Sequence, residues 1–197
     1  MILWVNGAFG SGKTQTSHEL HRRIPNSYVF DPENAGFYIR RNVPKELRLG
    51  DFQDFPMWRS IAYEMLGYLD REYGGIVIVP MTVVDPSYFR EIVGRLRADG
   101  ADVRHFALCA SKETLLRRLR SRGDGANSWP ALQIDRCVEG LKNEAFRHHL
   151  DTEGLSVAGA AEAIAELAGI RLVPDNRGPL RKWTDRVRTQ IGHIRWR

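Results

Sequence analysis

Cysteine is scarce in this chain. Cys109 and Cys137 are the only two in 197 residues, too few for a disulfide framework. They lack the CxxC spacing of a redox or zinc site. Cys109 lies in an apolar run and is expected to be a small core residue; Cys137 can be read the same way. Long hydrophobic runs are also missing. Ile76-Val77-Ile78-Val79-Pro80-Met81 is as apolar as the chain becomes, far short of the ~18 residues of a membrane span. The opening Met1-Ile2-Leu3-Trp4-Val5-Asn6-Gly7 has no basic region before its apolar stretch, so it does not read as a signal peptide. Free thiols in a reducing cytoplasm are the expectation. The six histidines show no HExxH or comparable spacing, and none is assigned to a metal. There is no internal repeat, no low-complexity linker and no placed guanine signature of the N-K-x-D type.

Acids are absent from one part of the chain. Residues 177–197 hold Arg177, Arg181, Lys182, Arg186, Arg188, Arg195 and Arg197 against the single acid Asp185. The net charge of +5 therefore comes from this tail, and the first 176 residues are close to neutral. That excludes a protein basic all over, and with it a broad nucleic-acid surface. In the tail, Leu180, Trp183, Val187, Ile191 and Ile194 fall on one helical stripe among basic residues. Such a helix suits an anionic membrane surface. Packing of the stripe on the body is the alternative, and the two are compatible if the helix docks in one state and leaves in another.

What is present is ordinary globular composition, 43% hydrophobic and 27% charged, enough for one domain with a sizeable core. Strand and helix patterns alternate. Strands are expected at Ile2–Val5, Tyr28–Phe30, Ile76–Val79 and Val103–Cys109, with Leu172-Val173 as a last short one. Helices are expected from Lys13 to about Arg23, at Glu33–Arg41, from Pro56, from Pro86 to near Gly100, after the N-cap Ser111, at Ala131–Leu141 and at Val157–Leu167. His148-His149 reads as a surface or helix-end pair. This alternation predicts an α/β fold with a mainly parallel sheet.

The first strand runs into Gly7-Ala8-Phe9-Gly10-Ser11-Gly12-Lys13-Thr14, which matches G-x-x-x-x-G-K-[ST]. Gly10 and Gly12 let the backbone wrap a polyphosphate, and the loop amides and helix N-terminus bind the anion. Lys13 reaches the β- and γ-phosphates and Thr14 gives a hydroxyl to Mg²⁺. ATP and Mg²⁺ are thus the expected ligands. No acid closes the Ile76–Val79 strand, so Asp31, after the second strand, is the candidate. It can hold Mg²⁺ through water or take a proton from a substrate hydroxyl. A capping or turn role before Pro32 fits it equally.

Two further groups surround this loop. Arg118, Arg122 and Arg136 flank a glycine-bearing segment, Gly123–Ser128, and suit a lid over about 122–136 that brings positive charge to a transferring phosphoryl group. Arg117 and Arg120 read as surface. Lys13, Asp31, Arg118 and Arg122 are therefore the catalytic candidates. Phe37, Arg40, Gln53, Trp58, Met81 and Thr82, with Asp31, are candidates for an acceptor pocket suited to a flat base with an apolar appendage. Taken alone, Trp58 reads better as core.

The phosphate loop alone is generic, but it belongs to a series of blocks of which the later ones are much more specific. The blocks are Trp4-Val5-Asn6-Gly7-Ala8-Phe9-Gly10-Ser11-Gly12-Lys13-Thr14-Gln15-Thr16, Asp31-Pro32, Asp51-Phe52-Gln53, Ile78-Val79-Pro80-Met81-Thr82, Ala110–Leu116, Asn127-Ser128-Trp129, Gln133–Leu141 and His193-Ile194-Arg195. Through them the chain resembles the tunicamycin-resistance protein family over nearly its full length. The resemblance implies a P-loop fold similar to small-molecule and nucleoside-monophosphate kinases. It also implies ATP binding, resistance to a lipid-bearing uridine nucleoside antibiotic, and membrane association through an amphipathic C-terminus. The expected organisation is a kinase-like domain at 1–176 and a basic amphipathic helix at 177–197, in a cytoplasmic, peripherally membrane-bound monomer or homodimer. Two functions compete: phosphorylation of a nucleoside-type compound, or ATP-dependent sequestration of tunicamycin without turnover. A nucleic-acid arm ranks last.

Overall fold

The computed structural model describes the backbone of residues 1–192 and the side chains of residues 1–189. The expectations at Ile194, Arg195, Trp196, Arg197 and the His193-Ile194-Arg195 block, and the side chain of Ile191, lie outside the described residues. In chain order the elements are β1 (Ile2–Gly7), α1 (Lys13–Arg23), β2 (Ser27–Val29), α2 (Glu33–Asn42), α3 (Pro56–Glu72) and β3 (Ile76–Pro80). Then come α4 (Pro86–Phe89), a π turn at Arg90–Gly94, α5 (Arg95–Ala98), β4 (Val103–Cys109), α6 (Lys112–Arg120) and α7 (Trp129–Leu132). Last are α8 (Ile134–Gly140), β5 (His149–Asp151), α9 (Val157–Leu167) and α10 (Pro179–Gly192).

The five strands form one parallel sheet in the order β2-β3-β1-β4-β5. Because helices cover both faces, the central strand is apolar at every early position rather than at alternate ones. Ile2 and Trp4 enter a core with Trp58, Leu66, Ile92 and Phe146. Leu3 and Val5 enter the opposite core with Leu20, Ala161 and Ile164. This period of two sends alternate residues of one strand to two helix layers. The strand then delivers Gly7 to the carboxyl edge of the sheet, between β3 and β4, where the chain order reverses and a crevice opens.

Two sequence expectations are corrected. Leu172-Val173 is not a strand: its backbone leaves the sheet, and Val173 N–H donates to the Arg23 carbonyl at 2.8 Å. The fifth strand is His149–Asp151, paired with Ala107–Cys109 of β4. It is a short, half-exposed edge strand, so it lacks the apolar run that marks a buried one. The helix expected over Ala131–Leu141 breaks at Gln133 into α7 and α8.

The tail segment forms α10 and lies against α1. Arg177 donates to Glu19 at 2.6 Å, to Asp175 at 2.6 Å and to Asp185 at 2.7 Å. Gln15 Nε2 donates to the Arg186 carbonyl at 2.9 Å. The start of the apolar stripe points away from the body, with Leu180 82% and Trp183 63% exposed, and Val187 is half-buried. Among the described residues no helix is long and apolar enough to cross a membrane.

Candidate active site

The loop after β1 has the conformation its glycines permit. Gly10 has φ +82°, and a Cβ there would stand 2.7 Å from the Leu115 carbonyl oxygen. Gly12, at φ +93°, caps α1. Its left-handed backbone turns the following amides toward the loop's hollow. Ser11 Oγ is buried with no protein partner and packs against Gly7, where any Cβ would collide with it. These features fit a polyphosphate.

Lys13 is buried, with Nζ 5.0 Å from the centre of the Phe9 ring. Burial pushes its ammonium below the usual lysine range; Glu33 pulls it back up, Arg122 pushes it down, and Asp31 pulls it up. Lysine, two carboxylates and a lid arginine therefore share one field. Asp31 Oδ1 accepts the Glu33 backbone N–H at 3.0 Å, so Asp31 is at once the turn residue before α2 and a charge on the site. Glu33 was missed by sequence reasoning, which took it only as the first residue of a helix. The available signal was an acid two positions after Asp31 across Pro32. Among the described residues no three His, Cys, Asp or Glu side chains gather as a metal cage. A Mg²⁺ here would be held by phosphate oxygens, Thr14 and one or two of these carboxylates, the usual arrangement for that ion.

The lid arginines are held in three different places. Arg122 pairs with Asp124 at 3.0 Å and remains within electrostatic reach of Lys13. Arg118 donates to the Thr152 carbonyl at 2.7 Å, at the exit of β5. Arg136 pairs with Asp51 at 3.1 Å and so ties α8 to the acceptor-side segment. The root of the lid is fixed by Glu153, which accepts from Ser111 N at 2.8 Å and from the Thr114 hydroxyl. These bonds hold its carboxyl below the usual range. Trp129 packs edge-on against Phe9, centroids 5.2 Å apart, so lid and phosphate loop touch through two rings.

Among the acceptor candidates, Gln53 is buried beside Asp51, which accepts from its backbone N–H at 3.1 Å and its side-chain amide at 3.3 Å. Arg59 locks the same turn, donating to the Gln53 carbonyl at 2.5 Å and to Glu91 at 2.5 Å. Phe37 packs on Phe52, centroids 5.9 Å apart, and is half-buried. Arg40 is half-exposed in the last turn of α2. Three assignments are corrected. Trp58 is fully buried, its indole N–H donating to the Pro32 carbonyl at 3.0 Å. Met81 is core. Thr82 is buried and donates to the Gly7 carbonyl at 2.7 Å. Trp58 thus holds the turn after Asp31 and Thr82 holds the phosphate loop, while Met81 is packed in the core. Asn6 adds to that support. Its Oδ1 accepts from Gly7 N at 2.8 Å and Val83 N at 3.0 Å, and its amide donates to the Val83 carbonyl at 2.7 Å and faces His105 Nε2 at 3.1 Å.

The comparisons agree with this geometry. Residues 2–142 match the family model described as an AAA domain. The structure of the Deinococcus radiodurans tunicamycin resistance protein is similar to it at 36% identity. That match covers 88% of this chain and 99% of that one, with a TM-score of 0.74. Two more distant likenesses bear on the fold alone. A gluconokinase from Sinorhizobium meliloti 1021 is 18% identical over 85% of this chain and 93% of its own, TM-score 0.56. A shikimate kinase from Bacteroides thetaiotaomicron is 16% identical over 86% and 99%, TM-score 0.58. No curated protein matches the chain. With a phosphate loop at the switch point of a 2-3-1-4-5 parallel sheet, the chain belongs to the tunicamycin-resistance protein family, within the P-loop kinase-like fold.

Proposed function

We propose that this protein is an ATP-dependent phosphotransferase acting on a nucleoside-type small molecule of the tunicamycin class. The observation that carries this reading is the phosphate loop that β1 delivers to the carboxyl edge of the sheet, with Lys13 buried at its end. Mg²⁺-ATP supplies the phosphoryl group. The amides of Gly7–Thr14 and the Lys13 ammonium would hold the β- and γ-phosphates, and Thr14 with Asp31 or Glu33 would hold the metal. One of those two carboxylates takes the proton from an acceptor hydroxyl as its oxygen bonds to the γ-phosphorus and the bond to the leaving phosphate breaks. Arg122, with Arg118 and Arg136 on the lid, balances charge and keeps water out. Phe37, Arg40 and Gln53 border the acceptor.

Incubation of tunicamycin with protein, ATP and Mg²⁺, followed by mass spectrometry, tests this. The expected product is drug carrying one phosphoryl group, with ADP formed in equal amount. Unmodified drug, in the presence of protein that binds both ligands, overturns it. The outward apolar stripe of α10 supports peripheral attachment to an anionic membrane from the cytoplasmic side.

A further inference from the structure

The tail can meet a membrane in two ways. It can leave the body and expose a stripe that had been buried, or it can stay docked and present a stripe that was always outward. We infer that it stays docked: α10 binds an anionic bilayer while clasped to α1. This inference rests on the membrane reading above and specifies how that surface is built.

The helix sorts its residues by face. At about 100° per residue, Leu180, Trp183 and Val187 share one side, and Lys182, Asp185 and Thr189 share the opposite one. The second side meets the body. Thr189 is buried, Lys182 pairs with Asp175 at 3.0 Å, and Asp185 receives Arg177 at 2.7 Å. Arg177 in turn joins Glu19, which is only 4% exposed on α1. The clasp is charge-assisted: hydrogen bonds from Arg177 and Lys182 hold the Asp175 carboxyl well below the usual range. The one acid of α10 is thus spent on the body. What faces outward is an apolar stripe bordered by exposed Arg181, Arg186 and Arg188. Cations flanking an apolar face, with no acid among them, complement anionic headgroups over acyl chains.

The docking sets an orientation. Arg177 lies beside Glu19 and Arg186 beside Gln15, so α10 runs antiparallel to α1 and heads toward its phosphate-loop end. A bilayer on the stripe therefore lies along the flank of the nucleotide-binding helix.

The test locks the helix in place. Gln15→Cys and Thr189→Cys are joined by a short bis-maleimide in a Cys109→Ser background, and sedimentation is measured with vesicles of phosphatidylcholine alone or with phosphatidylglycerol. Binding to the anionic vesicles within twofold, before and after cross-linking, is the expected result. A Leu180→Ser/Trp183→Ser variant should bind at least tenfold less with an unchanged melting temperature, since both side chains already face water. If the uncross-linked protein binds and the locked one does not, the helix must leave the body and the inference is wrong. If the natural chain binds neither vesicle, the membrane reading itself fails and the inference with it. A large fall in melting temperature for the serine variant would also overturn it, because the stripe would then be packed.

Discussion

Lowering the pH should loosen the phosphate loop through one buried imidazole. His105 is 2% exposed on β4, packed on the rings of Phe89 and Phe146 at 4.8 and 6.0 Å. Its Nδ1 is 3.3 Å from the Arg147 carbonyl and its Nε2 3.1 Å from the Asn6 amide nitrogen. A neutral ring protonated on Nδ1 satisfies both, donating to Arg147 and accepting from Asn6. A second proton would set an N–H against the Asn6 N–H and place a charge in the core. Burial accordingly pushes the imidazole down to about 4 from 6.5. Between those values the unfolded chain binds more protons than the folded one, so stability rises with pH across the window and is lost as pH falls from about 6.5 to about 4. The whole loss is about 3 kcal/mol, and about 2 kcal/mol of it is reached at pH 5. For a chain of this size that is roughly 4–8 °C in melting temperature. Thermal melts of the natural chain and of His105→Gln at pH 7.5 and pH 5 measure it. The variant should start less stable and lose less. Equal losses in the two proteins would refute the assignment. Nucleotide affinity should weaken in parallel, because Asn6 also holds the Gly7 amide.

Lys13→Ala should remove on the order of 10²-fold of turnover and weaken binding of a fluorescent ATP analogue in direct titration. Asp31→Asn and Glu33→Gln separate the base from the metal ligand. The base variant should lose about 10²–10⁴-fold in kcat with nucleotide affinity kept, and the other should need more Mg²⁺ for half-maximal rate. Trp58→Ala should cost about 3–5 kcal/mol in urea unfolding; a lost acceptor affinity at unchanged stability would return Trp58 to the pocket. Arg136→Ala breaks a half-exposed pair and should change stability by less than about 1 kcal/mol, yet lower kcat/KM by loosening the lid.

The sheet and its phosphate loop were legible because both are local. The apolar period at Ile2–Val5, the glycines at 10 and 12 and the N-cap at Ser111 each act within a few residues. The capping expectation at Ser111 is met by its Oγ accepting from Thr114 N. What was illegible depends on long-range pairing. β5 is three residues of His149-Leu150-Asp151, marked only by its partner β4. Trp58, Met81 and Thr82 carry the right chemistry for a pocket, but Trp58 and Thr82 hold Pro32 and Gly7 in place and Met81 fills the core. Glu33 was hidden by its helical position, since no spacing rule says that the first turn of α2 faces Lys13. The tail shows the converse: its stripe was plain from the sequence, while the direction it faces was set by Glu19 and Asp175, distant or outside the helix.

The two functions left open by the sequence differ in what they ask of the phosphate loop's surroundings. A protein that only holds nucleotide and drug gains from positive and neutral groups there. A carboxylate brought about 4 Å from a phosphate oxygen costs about 4 kcal/mol at an effective dielectric of 20 unless a cation lies between. Two carboxylates in the field of Lys13 are therefore a liability to simple binding. They become useful where Mg²⁺ must be placed and a hydroxyl proton removed at the moment charge moves between acceptor and leaving group. The lid has the same bias. Arg118, Arg136 and Arg122 are tied to Thr152, Asp51 and Asp124, and of the three Arg122 is the one whose charge also acts on Lys13. Acids and a cation set around a buried lysine suit a site in which charge is redistributed, and they favour transfer over storage.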